Sequence, residues 1–307
     1  MQKLQVFLES AMREIAPLAK EGRLASYIPA LAKANPESFG VCVLGLDGSA
    51  ASCGDYQEKF TIQSISKVFS LLCCLLDSPR ERVLERISME PSPGLFNSIA
   101  ELETHATHKP LNPMINAGAL VALEFVAGNT ADEKFNRIRD LARLLSENPE
   151  LDYSEDVFLS EEKTGDRNRS LAYYMKSTGL IQSKVDFLLE VYFRICALEM
   201  TCEDLAKTAL NLARGGLSKT GEVLLPKEIV QTTRTVMAMC GMYNESGRYA
   251  VEIGIPSKSG VGGGILAVAP NKMGIGIYSP PLNENGTSVC GSALMKALSQ
   301  ELSLSVF

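Results

Sequence analysis

Two hydrophobic patterns occupy separate parts of this chain, and their order constrains the fold more than any other feature. From about residue 80 to 235 the apolar residues recur with helical periodicity, interrupted by loops rich in Pro and Gly. Short apolar runs bounded by turn residues, the pattern of strands, lie only towards the two ends, at 39–46, 50–54, 249–253, 264–269 and 274–278. A sheet built from both ends of the chain must therefore enclose a helical insertion.

This order predicts an α/β protein with an additional all-helical domain. We expect residues 1–78 and 236–307 to form a split domain, a five-stranded antiparallel sheet flanked by helices, because the connections between neighbouring strands are too short for parallel crossovers. Asp47-Gly48, between the first two runs, is a strong hairpin signal. Residues 79–235 would form the inserted all-helical domain. A cleft between two such domains is where a ligand is expected.

Charge and hydropathy exclude several classes of partner. With 36 Asp and Glu against 30 scattered Lys and Arg, the chain has no electrostatic reason to bind nucleic acid or an anionic membrane surface. Its most apolar run, 68–76, is far shorter than the roughly 20 residues of a membrane-spanning helix. The N-terminal segment has charged residues at helical spacing and lacks the apolar core of a signal peptide. A small-molecule or protein partner is expected instead.

Cysteine and histidine usage limits the compartment and the chemistry. Eight cysteines without a C-x-x-C motif, mostly in apolar runs, indicate reduced thiols and a cytoplasmic location. The two histidines, His105 and His108, lie in a polar segment that we predict to be an exposed loop. They are too few to favour a His-based metal site or a Ser-His-Asp triad.

A serine and a lysine three residues apart, Ser64 and Lys67, begin the most apolar helical segment. Residues at this spacing share a helix face, so the hydroxyl and the amine can meet. Burial lowers the pKa of a lysine from about 10.4 and makes the neutral base available. An ordinary helix start is the alternative, because Ser160 and Lys163 have the same S-x-x-K spacing in a strongly charged, solvated context.

A second motif, K-[ST]-G, begins at Lys163, Lys219 and Lys258. Only Lys258 precedes a glycine-rich turn, residues 260–264, that leads into a predicted strand. Small residues there let a substrate approach the strand edge, and the N–H of Val261 is a candidate oxyanion donor. A glycine-rich hairpin without a ligand is the alternative.

Several other polar residues have structural explanations when each is considered alone. Asn116 precedes an apolar helix and would cap it. Residues 160–168 are polar enough to be a solvated loop. Tyr192 and Tyr243 would most often be core aromatics with a hydrogen-bonded hydroxyl.

Taken together, these stretches resemble the serine-dependent glutaminases, a family that includes bacterial and kidney-type enzymes and shares the fold of β-lactamases and penicillin-binding proteins. The resemblance follows the family's order across nearly the whole chain. The matching stretches are Tyr27-Ile-Pro29, Asp47-Gly48, Gln63-Ser-Ile-Ser-Lys67, 90–97, 112–119, Gly165-Asp-Arg-Asn168, Cys240-Gly-Met-Tyr243 and 257–264.

This resemblance implies an L-glutamine site residue by residue. It places the nucleophile at Ser64, the general base at Lys67 and a catalytic hydroxyl at Tyr243. Glu161 would pair with the α-ammonium of glutamine. The substrate contacts that the family implies fall on Tyr27, Gln63, Ser64, Asn116, Glu161, Asn168, Tyr192, Tyr243 and Val261.

It also implies an activity, hydrolysis of the side-chain amide of glutamine to glutamate and ammonia through a serine acyl-enzyme. No metal or organic cofactor is implied. The N–H groups of Ser64 and Val261 would hold the oxyanion. From the K-S-G motif itself, and not from the family, we infer that a positive charge on Lys258 would keep Lys67 or Tyr243 deprotonated. The family further suggests a homo-oligomer, either a dimer or a tetramer.

Two other functions stay open at the level of the sequence. One is an amidohydrolase of the same fold that acts on asparagine or a β-lactam. The chain lacks an S-D-N triplet between Lys67 and Lys258, and Tyr243 does not begin a Y-x-N motif, which argues against antibiotic or peptidoglycan substrates. The other is a non-catalytic amino-acid sensor, although a sensor need not keep both nucleophile and base.

Overall fold

The computed structural model describes residues 2–92, 94, 96–104 and 108–307. His105 lies outside the described residues. His108 is half-buried rather than exposed, and its Nδ1 lies 2.9 Å from the carbonyl oxygen of Leu102 and 3.1 Å from the hydroxyl of Tyr174.

Seven strands form two antiparallel sheets within the described part of the chain. The five-stranded sheet has the order β2-β1-β7-β6-β5, and the two-stranded sheet pairs β3 with β4. The first two strands therefore join the last three through β1 and β7, as the separation of the strand patterns predicted. The strands are β1 Gly40–Gly45, β2 Ala50–Gly54, β3 Phe60–Thr61, β4 Glu199–Met200, β5 Ser257–Ser259, β6 Gly264–Ala269 and β7 Met273–Tyr278.

Helices make up most of the remaining structure. Among the described residues, no helix is long and apolar enough to cross a membrane. Two short 3₁₀ turns, Gln63–Ile65 and Tyr243–Glu245, are important for the site described below. The α-helices are α1 Gln2–Ile15, α2 Ser66–Asp77, α3 Arg80–Arg86, α4 Ala100–Thr104, α5 Asn116–Phe125, α6 Ala131–Ser146, α7 Glu155–Thr164, α8 Asp166–Ser177, α9 Val185–Cys196, α10 Cys202–Ala213, α11 Lys227–Cys240, α12 Ser246–Glu252 and α13 Val289–Leu302.

The five-stranded antiparallel sheet confirms the prediction, but one predicted strand is wrong. Residues 249–253 lie in α12 and directly after it, and the fifth strand is β5. As a helix, this segment turns Tyr249 and Ile253 towards the core on one face and leaves Val251 89% exposed on the other. Five residues are too few to distinguish the two periods from sequence.

Helices cover both faces of the five-stranded sheet. Alternation along β1 directs Val41 and Val43 into an apolar cluster with α1 and α13, whereas Cys42 faces the opposite cluster. On that opposite face α10 packs against β7, where glycines leave the required space. A Cβ at Gly274 or Gly276 would lie within 2.2 or 2.1 Å of the α10 backbone.

The division into domains stays a prediction, although α10 bears on its boundaries. This helix lies within the predicted insertion, 79–235, yet it packs on the sheet. Its contact depends on two glycines in a distant strand, which a local reading of helical periodicity does not reveal. The apolar cluster that includes α10 also surrounds α2, which contacts α5, α6 and α11. Residues 66–75 of α2 are all buried.

Candidate active site

The 3₁₀ turn that precedes α2 carries Ser64, and the first turn of α2 carries Lys67. Lys67 Nζ donates a hydrogen bond of 2.8 Å to Ser64 Oγ. The lysine is fully buried, and burial lowers its pKa to about 8. An ordinary helix start would leave such an amine in water, as the second S-x-x-K motif does, since Lys163 is exposed.

Two further groups surround the Lys67 amine. Asn116 Oδ1 accepts a 2.8 Å hydrogen bond from Nζ, and the hydroxyl of Tyr243 lies 3.5 Å away. A neutral amine has two N–H donors and one lone pair, so it can donate to Asn116 and still accept the proton of Ser64. The neighbours of Lys67 therefore leave its lone pair available to the serine.

Asn116 does not cap α5, which was the structural alternative. Among the described residues, no side chain caps α5; Asn112 Oδ1 accepts from the N–H groups of Met114 and Ile115, at 3.0 and 3.1 Å, in the turn before the helix. The Asn116 side chain points inward, where its Nδ2 donates to Asn168 Oδ1 at 2.9 Å. This bond to Asn168 orients the amide so that Oδ1 faces Lys67.

Lys258 lies on β5, fully buried behind Tyr243. Its Nζ donates to the carbonyl oxygen of Ser259 at 2.7 Å and lies 3.8 Å from the centre of the Tyr243 ring. Burial, aided by the charge of Lys67, lowers the pKa of Lys258 well below its ordinary value. Burial also raises the pKa of Tyr243. Neither the predicted positive charge on Lys258 nor a deprotonated Tyr243 is therefore favoured, because water does not solvate either ion.

The glycine-rich turn after β5 lies directly against the backbone that leads to the nucleophile. A Cβ at Gly260 would lie 2.3 Å from the carbonyl oxygen of Ile62, and one at Gly262 would lie 2.3 Å from that of Thr61. Only glycine permits this approach, which brings Val261 to the edge of the same cavity.

Two backbone N–H groups at this cavity, those of Ser64 and Val261, have no backbone acceptor among the residues that the structure describes. Ser64 and Val261 both line the cavity. A pair of free N–H groups beside a hydroxyl is the arrangement that holds an oxyanion during acyl transfer.

The cavity itself is small, about 90 Å³. It brings together all the substrate contacts that the resemblance implied except Tyr243, whose hydroxyl lies 3.5 Å from Lys67 Nζ. Tyr27 lies at its rim and is 58% exposed. Tyr192 lies deep inside, 2% exposed, and burial raises its pKa. The lining residues among these are Tyr27, Gln63, Ser64, Asn116, Glu161, Asn168, Tyr192 and Val261.

Glu161 gives this cavity its charge preference. It belongs to α7, not to a solvated loop, and is only 6% exposed. Within the described structure its Oε2 is buried without a hydrogen-bond partner. Burial raises the pKa of Glu161 to about 8, although nearby Lys67 opposes the shift. A buried carboxylate with an unpaired oxygen is costly unless a cation binds it, so this end of the cavity is suited to an ammonium group.

The cavity is also lined by residues that were not predicted as substrate contacts, among them Phe96, Arg167 and Cys196. Phe96 packs against Tyr243 with ring centres 4.8 Å apart, and its motif was part of the resemblance, which could have indicated it. Arg167 lines the cavity and donates through Nε to the carbonyl oxygen of Asn97 at 2.9 Å. Cys196 lines it too, with Sγ 3.8 Å from Ser66 Oγ, and no local signal distinguishes it from a core cysteine.

Comparison with known proteins agrees with this geometry. A sequence profile described as Glutaminase matches residues 22–307. Glutaminase 2 from Clostridium perfringens is 47% identical over 302 residues, which cover 98% of this chain and 99% of that protein. The crystal structure of a probable glutaminase from Bacillus subtilis has a TM-score of 0.93 at 38% identity, over 99% of this chain and 98% of that one.

A second structure from Bacillus subtilis is a covalent complex between a glutaminase and 5-oxo-L-norleucine, formed by reaction with 6-diazo-5-oxo-L-norleucine. It has a TM-score of 0.90 and 39% identity, with 99% of each chain covered. These likenesses confirm the predicted β-lactamase-like fold, and the chain belongs to the glutaminase family.

Proposed function

We propose that this chain hydrolyses the side-chain amide of L-glutamine to L-glutamate and ammonia through an acyl-enzyme on Ser64. The observation that carries the proposal is the 2.8 Å contact between Lys67 Nζ and Ser64 Oγ, because Ser64 lines the same cavity as Glu161, whose Oε2 has no hydrogen-bond partner among the described residues. The covalent complex of the Bacillus subtilis relative supports it, because 6-diazo-5-oxo-L-norleucine is an amino acid with a reactive ketone where glutamine has its amide.

Substrate orientation follows from the charges that line the cavity. The α-ammonium binds Glu161, and the α-carboxylate accepts hydrogen bonds from Asn168 and Tyr192. This leaves the side-chain amide directed at Ser64. The binding groups come from helices of the predicted insertion and the oxyanion donor Val261 comes from the sheet side, which supports a site in the cleft between the two predicted domains.

Acylation begins with neutral Lys67. Ser64 Oγ attacks the amide carbon while its proton passes to Lys67 Nζ, directly or through the hydroxyl of Tyr243. The carbonyl oxygen becomes an oxyanion that accepts hydrogen bonds from the N–H groups of Ser64 and Val261. Lys67 then returns the proton to the amide nitrogen, the C–N bond breaks, and ammonia leaves.

Deacylation repeats these steps with water. The neutral Lys67 amine takes a proton from the water that attacks the acyl carbon, and the same two N–H groups hold the oxyanion. The ester bond to Ser64 breaks as Lys67 returns the proton to Oγ. Glutamate is released and both residues regain their starting protonation states.

Ammonia release from purified protein tests the proposal against its alternatives. We expect release from glutamine, little from asparagine, whose amide is one methylene closer to the α-carbon and does not reach Ser64, and no hydrolysis of a β-lactam. Activity on asparagine alone, or glutamine binding with no turnover under any condition, would favour one of the alternatives.

Replacing Glu161 with glutamine should raise the KM for glutamine about 100-fold and change kcat much less. The variant keeps the shape of the side chain and removes the charge that pairs with the α-ammonium, an interaction expected to be worth about 2–5 kcal/mol when desolvated. Steady-state kinetics measure the effect, with Glu162→Gln as the matched control, since the neighbouring Glu162 is half-buried and does not line the cavity. An unchanged KM would disprove the ammonium assignment.

The pH dependence of kcat/KM should have a steep acid limb. Lys67 must be neutral and Glu161 ionised, and the pKa of each is about 8, so both requirements are met only as the pH rises through 8. We expect kcat/KM at pH 7 to be about 10- to 100-fold below its plateau, since the coupled pair titrates in two steps. Glu161→Gln should reduce the limiting slope to one. A flat profile from pH 6 to 8 would contradict the assignment.

We also propose a cytoplasmic location and a homo-oligomer. All eight cysteines are free thiols, most of them buried, as expected of a chain that works in a reducing compartment. Assembly as a dimer or tetramer is supported only by the family resemblance. Light scattering of the purified protein measures it directly.

A further inference from the structure

Tyr243 has a backbone conformation that is unfavourable for a tyrosine. Its φ is +55°, in the left-handed region, within the 3₁₀ turn Tyr243–Glu245. Such a residue is strained and persists only when its surroundings hold it in place. The groups that hold this turn therefore decide where the phenol hydroxyl lies.

The side chain of Asn283, in a loop distant in sequence, forms hydrogen bonds with this turn. Asn283 Nδ2 donates to both carboxylate oxygens of Glu245, at 3.0 and 3.3 Å. On its other side, Asn283 Oδ1 accepts from the N–H groups of Asn285 and Thr287, each at 3.0 Å. One amide thus joins the loop's own backbone to the turn of Tyr243.

Additional bonds make this loop stiff. The N–H of Asn283 donates to the carbonyl oxygen of Thr287 at 2.9 Å, and the N–H of Gly286 donates to that of Asn283 at 3.1 Å. A second link joins it to the turn, where Asn244 Nδ2 donates to Asn285 Oδ1 at 2.9 Å. We call residues 283–287 the brace.

The brace also contacts the oxyanion side of the cavity. A Cβ at Gly286 would lie 3.4 Å from Val261 Cγ1. Leu282, directly before the brace, packs with Val261 and Ala25 in a small apolar cluster. The brace therefore touches both elements that the sheet side contributes to the site, the tyrosine turn and the glycine-rich turn.

We propose that the brace positions the hydroxyl of Tyr243 relative to Ser64 and Lys67, and that Asn283 is its central positioning residue. Asn283 does not line the cavity that Ser64 and Glu161 line. It therefore acts on the site through its hydrogen bonds to Glu245. Replacing Asn283 should therefore reduce the rate of proton transfer without weakening the binding of the α-ammonium and α-carboxylate of the substrate. The inference rests on the proposed catalytic role of Tyr243.

A reversed hydrogen bond tests the link between Asn283 and Glu245. Asn283→Asp keeps the acceptor that organises the brace, but it loses the donor and places two carboxylates face to face. Glu245→Gln keeps an acceptor for Asn283. In the double variant the new glutamine donates to the new aspartate, so the link is restored in the opposite direction.

We expect Asn283→Asp to lower kcat about tenfold with KM within twofold of wild type, Glu245→Gln to remain near wild type, and the double variant to recover to within about threefold. Asn35→Asp, at a surface turn where Asn35 Oδ1 likewise accepts a backbone N–H, is the control and should change nothing. Rates are divided by the folded fraction from circular dichroism at the assay temperature. A normal kcat in Asn283→Asp, an equal change in KM, or no recovery in the double variant would overturn the proposal.

A second cycle separates this inference from the role of Tyr243 itself. If the brace acts through the phenol hydroxyl, Asn283→Asp should have almost no further effect in a Tyr243→Phe background, because the group it positions is already gone. A full tenfold loss in that background would overturn the brace proposal. Normal turnover by Tyr243→Phe alone would instead disprove the catalytic role on which the proposal rests.

Discussion

Replacing Ser64 with alanine should reduce glutamine-dependent ammonia release by at least about 10⁴-fold. The variant has no nucleophile to form the acyl-enzyme, and removal of a serine nucleophile in comparable sites costs up to about 10⁶ in kcat. Glutamine binding should persist, because the groups that hold its α-ammonium and α-carboxylate are untouched. Calorimetry of glutamine binding and a coupled ammonia assay measure the two effects.

The control for this variant is Ser160→Ala. Ser160 begins the other S-x-x-K motif, and its Oγ accepts a hydrogen bond from the N–H of Ala30 at 3.1 Å. That replacement removes a hydroxyl at the same spacing from a lysine but leaves the cavity intact, so turnover should remain near wild type. Near-normal ammonia release from Ser64→Ala would mean that the nucleophile has been assigned to the wrong residue.

Replacing Lys67 with arginine should lower kcat by about 10³- to 10⁴-fold. Arginine keeps a positive charge in the same place but does not lose its proton in a protein, so it cannot accept the proton of Ser64. General-base catalysis contributes about 10²–10⁴, and here the same group also protonates the leaving ammonia. Steady-state kinetics from pH 6 to 9 should show no acid limb attributable to residue 67.

Lys67→Met supplies a second variant in case arginine does not fit the buried position. Methionine fills a similar volume without charge, and it should be equally inactive with a thermal unfolding temperature near or above wild type, since it removes a buried amine. Lys163→Arg, at the exposed lysine of the other motif, should retain full activity. More than a tenth of wild-type turnover in Lys67→Met would rule out this lysine as the base.

Local sequence patterns predicted much of the fold correctly, and their failures share one cause. Alternation and turn residues located β1, β2, β6 and β7, because short turns join these runs in pairs, Asp47-Gly48 between the first two and residues 270–272 between the last two. The segment 249–253 was too short, and its helical form follows from packing of its apolar face on the core. The short strand β5, Ser257–Ser259, lies where no apolar alternation marks it.

The site shows the same division between local and tertiary information. Spacing alone could not choose between Ser64 and Ser160, because both precede a lysine by three residues. The family resemblance named nine substrate contacts, and the fold brings all of them except Tyr243 to one cavity, although their roles stay predictions. It did not reveal that Lys258 is buried behind the Tyr243 ring, since that contact joins two segments that are adjacent only in the folded sheet.

The sequence by itself determined which chemistry is available, because a serine and a lysine three residues apart can share one helix face. Only the tertiary structure distinguishes the two such pairs, Ser64 with Lys67 and Ser160 with Lys163. Packing around α2 removes water from Lys67 and lowers its pKa to about 8, whereas Lys163 stays exposed. Solvation depends on atoms contributed by distant segments, so basicity at this site is a property of the fold and not of the motif.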